Sequence, residues 1–160
     1  MHDVARAAGV SKGLIHYHFQ DKEALLARLA VWLADALDAR ERGLLAGITP
    51  QLALDALWAW LDSELARGDV RALLDLAQLS APSVREATRQ AARRRRETAA
   101  STVETLFGAL GLRPRIPAAL LADVAVAFID GLAMDAAIAP AANRRVVFDA
   151  FWLSVLSLTE

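Results

Sequence analysis

The sequence predicts an all-α protein, and three observations carry that prediction. Ala, Leu, Arg and Glu dominate at three- and four-residue spacing. No stretch alternates apolar and polar positions with β-branched side chains, as a half-buried strand does. Capping residues, glycines and prolines cut the chain into pieces of helical length. With 160 residues, 56% of them hydrophobic, there is enough apolar material for a well-buried core. The complete lack of cysteine excludes disulfides, thiolate metal sites and cysteine nucleophiles. Asp, Glu or Arg interrupts every apolar run before the roughly 18 residues of a membrane span, and no basic-then-apolar leader opens the chain. A soluble, cytoplasmic protein without membrane contact is expected.

About eight helices are expected, over residues 2–8, 12–18, 22–45, 50–67, 70–79, 84–110, 117–139 and 143–158. Gly9 separates the first two, and Ser11 is the N-cap of the second. Leu25, Leu29, Leu33 and Leu37 form a single apolar stripe on the third, which Gly47 closes. Thr49 and Pro50 supply an N-cap and first-turn proline for the fourth, with its stripe at Leu54, Leu57, Trp58, Leu61 and Leu65 and its end at Gly68. Ser83 to Glu86 reads as a capping box for the sixth, which runs to Gly111. The arginine run Arg93 to Arg96 spreads around that helix and is expected to be solvated, with pairs such as Arg93 to Glu97. The seventh helix ends near Pro140. It and the eighth are apolar over a wide arc, which calls for core on one side and a second subunit on the other.

Formal net charge of -1 excludes a chain that coats nucleic acid with its whole surface, so any such contact must be local. The only lysines, Lys12 and Lys22, and the only histidines, His2, His16 and His18, all fall in the first segment. That segment has the pattern of a helix-turn-helix: Ala5 where two helices cross, Gly9 in a turn with positive φ, and Ile15 packing back, with Val4, Ala8, Val10 and Phe19 completing a small core. Lys12, Gly13, His16 and Tyr17 are left on the free face, which suits the major groove. His16 and His18, two apart, point to different helix faces with no third ligand near, so no metal is expected.

The run from Asp3 through Val4, Ala5, Gly9, Val10, Ser11, Lys12, Gly13, Leu14, Ile15, His16, Tyr17 and His18 to Phe19, followed by Asp21, Lys22, Glu23 and Leu25, closely resembles the signature of the TetR family over about 25 residues. The resemblance implies a DNA-binding transcriptional regulator with Ser11, Lys12, Gly13, Leu14, His16, Tyr17 and Lys22 against double-stranded DNA. It implies Lys22 and the free N–H groups of the third helix sharing one phosphate. It further implies a segment 1–45 that reads DNA and carries the connecting helix, and a segment 46–160 that dimerises and binds a small effector. Two departures stand out: the chain starts inside an element that family members usually precede with one more helix, and His16 occupies the first of two aromatic positions. A DNA-incompetent dimerisation and ligand-binding module is therefore the alternative expectation.

Within the second segment, Trp58, Trp60, Phe107, Phe128 and Met134 are candidates for the effector pocket. Phe128, Gly131, Phe148, Phe151, Trp152 and Val155 are candidates for a homodimer interface. Gly131 in a strong helix suggests close approach of another helix. No arrangement of serine, histidine or paired carboxylates points to catalysis, and no cofactor is expected. The expected function is a repressor released from a pseudo-palindromic operator by a small molecule, with the operator sequence and the effector left unspecified.

Overall fold

The computed structural model describes residues 1–45, 49, 52–139 and 143–160, and among these it holds eight helices and no strand. The elements are α1 (His2–Ala7), α2 (Lys12–His18), α3 (Lys22–Leu45), α4 (Ala53–Arg67), α5 (Asp69–Ala77), α6 (Pro82–Leu110), α7 (Ala118–Ile138) and α8 (Arg144–Leu156). The expected helix signals at Gly47, Pro50 and Pro140 lie outside the described residues.

The long helix α6 is the central post. On one side α3, α5 and α6 bury Leu33, Leu37, Leu73 and Val84 in a first core. On the other, α4, α6, α7 and α8 bury Leu61, Leu106, Phe107 and Trp152 in a second. Aromatic side chains carry much of the α8 contact: Phe151 stacks on Phe128 of α7 at 4.1 Å, and Phe148 meets Trp58 of α4 at 5.3 Å. Gly68, with φ of 77°, lets α4 turn directly into α5, a backbone conformation that costs other residues about 1 kcal/mol.

The stripe expected on α3 is shifted. Leu33 and Leu37 are buried, but Ala30 and Ala34 complete the buried face while Leu29 is 37% exposed. A helix between two neighbours needs a wider apolar face than one four-residue row, and alanine lets α6 approach closely. The capping box at the start of α6 does not form. Pro82 opens the helix after an extended Ala81, and the Ser83 hydroxyl donates to Glu23 Oε1 at 2.6 Å while its backbone N–H donates to the same oxygen at 3.0 Å. A proline at the first helical position needs no partner for its missing N–H, which frees Ser83 to tie α6 to α3.

The arginine run is exposed at Arg93, Arg94 and Arg96, as expected, but its pairing differs. Arg93 does not pair with Glu97; it lies 3.5 Å from Glu86. Arg94 pairs with Asp35 of α3, while Arg95 and Arg96 reach Asp130 and Asp123 of α7 at 2.8 and 2.9 Å. Four consecutive residues point in four directions around a helix. On a helix with neighbours on both sides, that spread makes interhelical clasps.

Candidate functional site

Two features of the fold have the character of sites, one at each end of α3. The first is the helix pair α1–α2. Gly9 takes φ of 66° in the turn between them, and the Ser11 hydroxyl accepts a hydrogen bond from Leu14 N at 3.1 Å, capping α2. Ala5 and Ile15 are buried between the helices. Once Ile15 points inward, the helical period sets Gly13, His16 and Tyr17 away from it, and Lys12, one turn earlier, is exposed at the open start of α2. Ser11, Lys12, Gly13, Leu14, His16, Tyr17 and Lys22 are all exposed, so the structure brings the expected residues together on one open surface. Tyr17 is 84% exposed, an unusual position for so large a ring, and meets only the edge of His18 at 5.2 Å among the described aromatic rings. Four cations (Arg6, Lys12, Lys22, Arg28) stand against three acids in this region. Of those acids, Asp3 pairs with Arg6, Asp21 caps α3 through Ala24 N at 2.8 Å and Glu23 is held by Ser83, and among the described residues neither lysine forms an ion pair.

The second feature is an apolar chamber, open to solvent at its mouth, between α3, α4, α6, α7 and α8. Leu57, Val103, Phe128, Phe151 and Trp152 form most of its wall, Glu41 and Trp60 also border it, and the surface it presents is almost wholly apolar. Thr102 Oγ1 lies 2.6 Å from Glu41 Oε1 and 3.0 Å from the Thr98 carbonyl. Burial pushes the Glu41 carboxyl above the usual carboxylate range, against the opposing pull of Thr102 and of the Arg95 charge. The indole Nε1 of Trp60 is buried with no hydrogen-bond partner among the described residues. A second, narrower cavity beside it shares Glu41, Trp60, Ala99 and Ile129 as lining.

Of the residues expected at a pocket, Trp60 and Phe128 line the chamber. Trp58 instead packs on Phe148, Phe107 is 2% exposed within the second core, and Met134 faces outward. The residues expected at a subunit interface divide likewise. Phe148, Trp152 and Val155 are buried within this chain's own core, and Phe151 and Phe128 stack on each other, whereas Gly131 is exposed with open space around it. The outward apolar positions are Leu120, Val124, Met134 and Ile138 on α7 and Val146, Val147 and Leu153 on α8. Sequence reasoning chose the largest aromatics, but large aromatics fill the core before they face outward.

Sequence reasoning also missed Glu41 and the polar row to which it belongs. Asp35, Asp38 and Glu41 recur every three residues on α3, and Arg94, Thr98 and Thr102 every four on α6. Each pairs with its counterpart in order. Two polar rows at helical spacing were the available signal, though they reveal nothing until α3 and α6 are known to lie side by side in the same direction. Among the described residues no cluster of three or more His, Asp or Glu is placed to hold a metal, and no helix is long and apolar enough to cross a membrane.

Residues 1–29 match the family described as bacterial regulatory proteins, tetR family. Among solved structures, a transcriptional regulator from Rhodococcus sp. Rha1 is similar, with 29% identity and a TM-score of 0.66 over 86% of this chain and 72% of that one. A proposed transcriptional regulator from Pseudomonas aeruginosa PAO1 shares the fold, with a TM-score of 0.69 and 19% identity over 96% of this chain and 78% of that one. No curated protein matches the chain.

Proposed function

The chain is a TetR-type regulator, and on that premise we propose that it is a homodimeric repressor released from a pseudo-palindromic operator by a small, mostly apolar effector. The observation that carries the DNA-binding part is the orientation of α2. With Ile15 buried, α2 leaves Lys12, His16 and Tyr17 exposed and free to enter a major groove, and Lys22 stands exposed in the first turn of α3, at the positive end of that helix's dipole. Phosphate contacts by Lys12, Tyr17 and Lys22 would position the head, and α2 would read base edges. Two heads on a dimer would engage successive grooves about 34 Å apart.

The chamber is proposed as the effector site, and α3 as the link between effector and DNA. A helix of 24 residues is about 36 Å long and behaves as a rod. Lys22 begins it, and Glu41 near its other end lines the chamber. An effector that fits better when α3 is displaced would change the spacing of the two heads and lower operator affinity. DNA would weaken effector binding by the same factor.

A salt titration of binding to mixed genomic fragments tests the DNA-binding half. Affinity falling steeply with salt, with a slope shallower by about 1 in Lys22→Ala, is the expected result. One observation favours a second reading, a module that dimerises and binds ligand without DNA. The head buries only Ala5 and Ile15 and leaves Val4, Val10 and Leu14 more than a third exposed. Salt-independent or absent binding would select that reading.

A further inference from the structure

We propose that the chamber takes an uncharged aromatic hydrocarbon of the alkylbenzene class, and selects it by offering a bound molecule almost nothing to hydrogen-bond. This rests on the reading of the chamber as the effector site. The polar groups that border the space are withdrawn from it. Trp60 Nε1 is sealed in the packing, and the Thr102 hydroxyl is taken up by Glu41 Oε1 at 2.6 Å and by the Thr98 carbonyl at 3.0 Å. What is left facing the space is almost wholly hydrocarbon. A ligand hydroxyl brought into such a site gives up its water and gains no partner, and an ionised group loses far more. The chamber therefore discriminates by leaving polar groups unpaired, with no paired group needed to recognise the right molecule.

The kind of hydrocarbon follows from the wall. Phe128, Phe148, Phe151 and Trp152 all line the space, and they already meet one another in the geometries that rings prefer. Phe151 stacks on Phe128 at 4.1 Å and meets Trp152 edge-on at 5.6 Å, while Phe148 meets Trp152 edge-on at 6.1 Å. A planar ring held among these four can make the same stacked and edge contacts, which a saturated ring of the same carbon skeleton cannot. Small aliphatic side chains, Leu57, Ala99, Val103 and Ala125, fill the rest of the wall and suit a short alkyl substituent. No cation is free to receive an acid, since Arg95, the nearest charge to act on Glu41, is held by Asp130 at 2.8 Å.

Sealed-cell calorimetry on the full chain with toluene, methylcyclohexane, p-cresol and p-toluate tests each step. Toluene should bind about ten- to a hundredfold tighter than p-cresol, the limit set by one unpaired hydroxyl, and p-toluate should not bind measurably. Phe128→Leu keeps an apolar wall and removes one ring, so it should lower the ratio of toluene to methylcyclohexane affinity by about two- to tenfold. Ala125→Phe fills the space and should abolish binding of every probe with helical content by circular dichroism retained. Tighter binding of p-cresol or p-toluate than of toluene, an unchanged ratio in Phe128→Leu, or undiminished binding to a folded Ala125→Phe chain overturns the proposal. Toluene that binds as expected but leaves affinity for genomic DNA fragments unchanged overturns only the effector reading, and failure of all four probes to bind overturns both.

Discussion

Arg40 shows how one side chain can hold three helices. Its guanidinium, on α3, donates to Glu64 Oε1 and Oε2 of α4 at 2.6 and 2.7 Å and to Asp69 Oδ2 of α5 at 2.6 Å. The fork suits a carboxylate, and these hydrogen bonds, led by the one to Glu64, push the Arg40 pKa up. Glu64 is 1% exposed, so Arg40→Ala would strand a buried charge and should destabilise the fold by about 3–5 kcal/mol in urea titrations. Arg40→Lys should recover only part of that, because an ammonium cannot grip both oxygens and Asp69 together. Glu41, one residue on, predicts a dependence on pH. Burial raises its folded-state pKa, so folding favours the protonated form. The protonated side chain costs nothing below the unfolded pKa, and the penalty appears as pH rises through the folded value. Glu41→Gln removes the titration, so its stability relative to the native chain should improve between about pH 4 and about pH 7. An equal difference at both pH values would show that Glu41 titrates normally.

At the scale of elements, the contacts between α3 and α6 form a polar row running from Glu23 at the head to Glu41 at the chamber. Glu23 holds Ser83, Asp35 holds Arg94, Asp38 holds Thr98 and Glu41 holds Thr102. The row fixes the register of α3 against the central post, since sliding by one turn would break every pair at once. Thr98→Val keeps the shape but takes a donor from Asp38, whose side chain is 16% exposed, and should cost about 1–2 kcal/mol. The double change with Thr102→Val should cost more than the sum of the singles if the row acts as a unit, which a double-mutant cycle in urea would measure. Local chemistry made the head legible in the sequence. Gly9 and Ser11 act on backbone a few residues away, and Ile15 is separated from its exposed neighbours by helical period alone. The row was not legible for the opposite reason. Its residues are 59 to 61 positions apart, and each looked like an ordinary solvated charge or threonine until the helices were placed together.

At the scale of the whole molecule, helix type and number could be read from the sequence because periodicity and capping are repeated signals. The direction in which each aromatic points could not, because it depends on which neighbour each helix finds. That difference moves the proposed dimer surface from Phe148 and Trp152 to the outward faces of α7 and α8. Leu120, Val124, Gly131, Met134 and Ile138 recur on α7 at three- to seven-residue steps along one face, with Ile138 77% exposed. On α8, Val146 and Leu153 are 60% and 70% exposed. Exposed apolar rows on two helices have the character of a surface that pairs with another. Gly131, with no atom near its missing side chain, allows a facing helix to approach closely. A symmetric pairing of α7 and α8 with their copies would bury both rows, and a charge placed there would meet its own copy across the axis. Val124→Glu combined with Leu153→Glu should therefore shift sedimentation equilibrium from dimer to monomer. Both positions are exposed within one chain, so the helical content by circular dichroism should change little. DNA affinity should fall steeply, because a monomer offers one head to an operator of two half-sites. A double mutant that stays dimeric would place the interface elsewhere and remove the basis for the proposed half-site spacing.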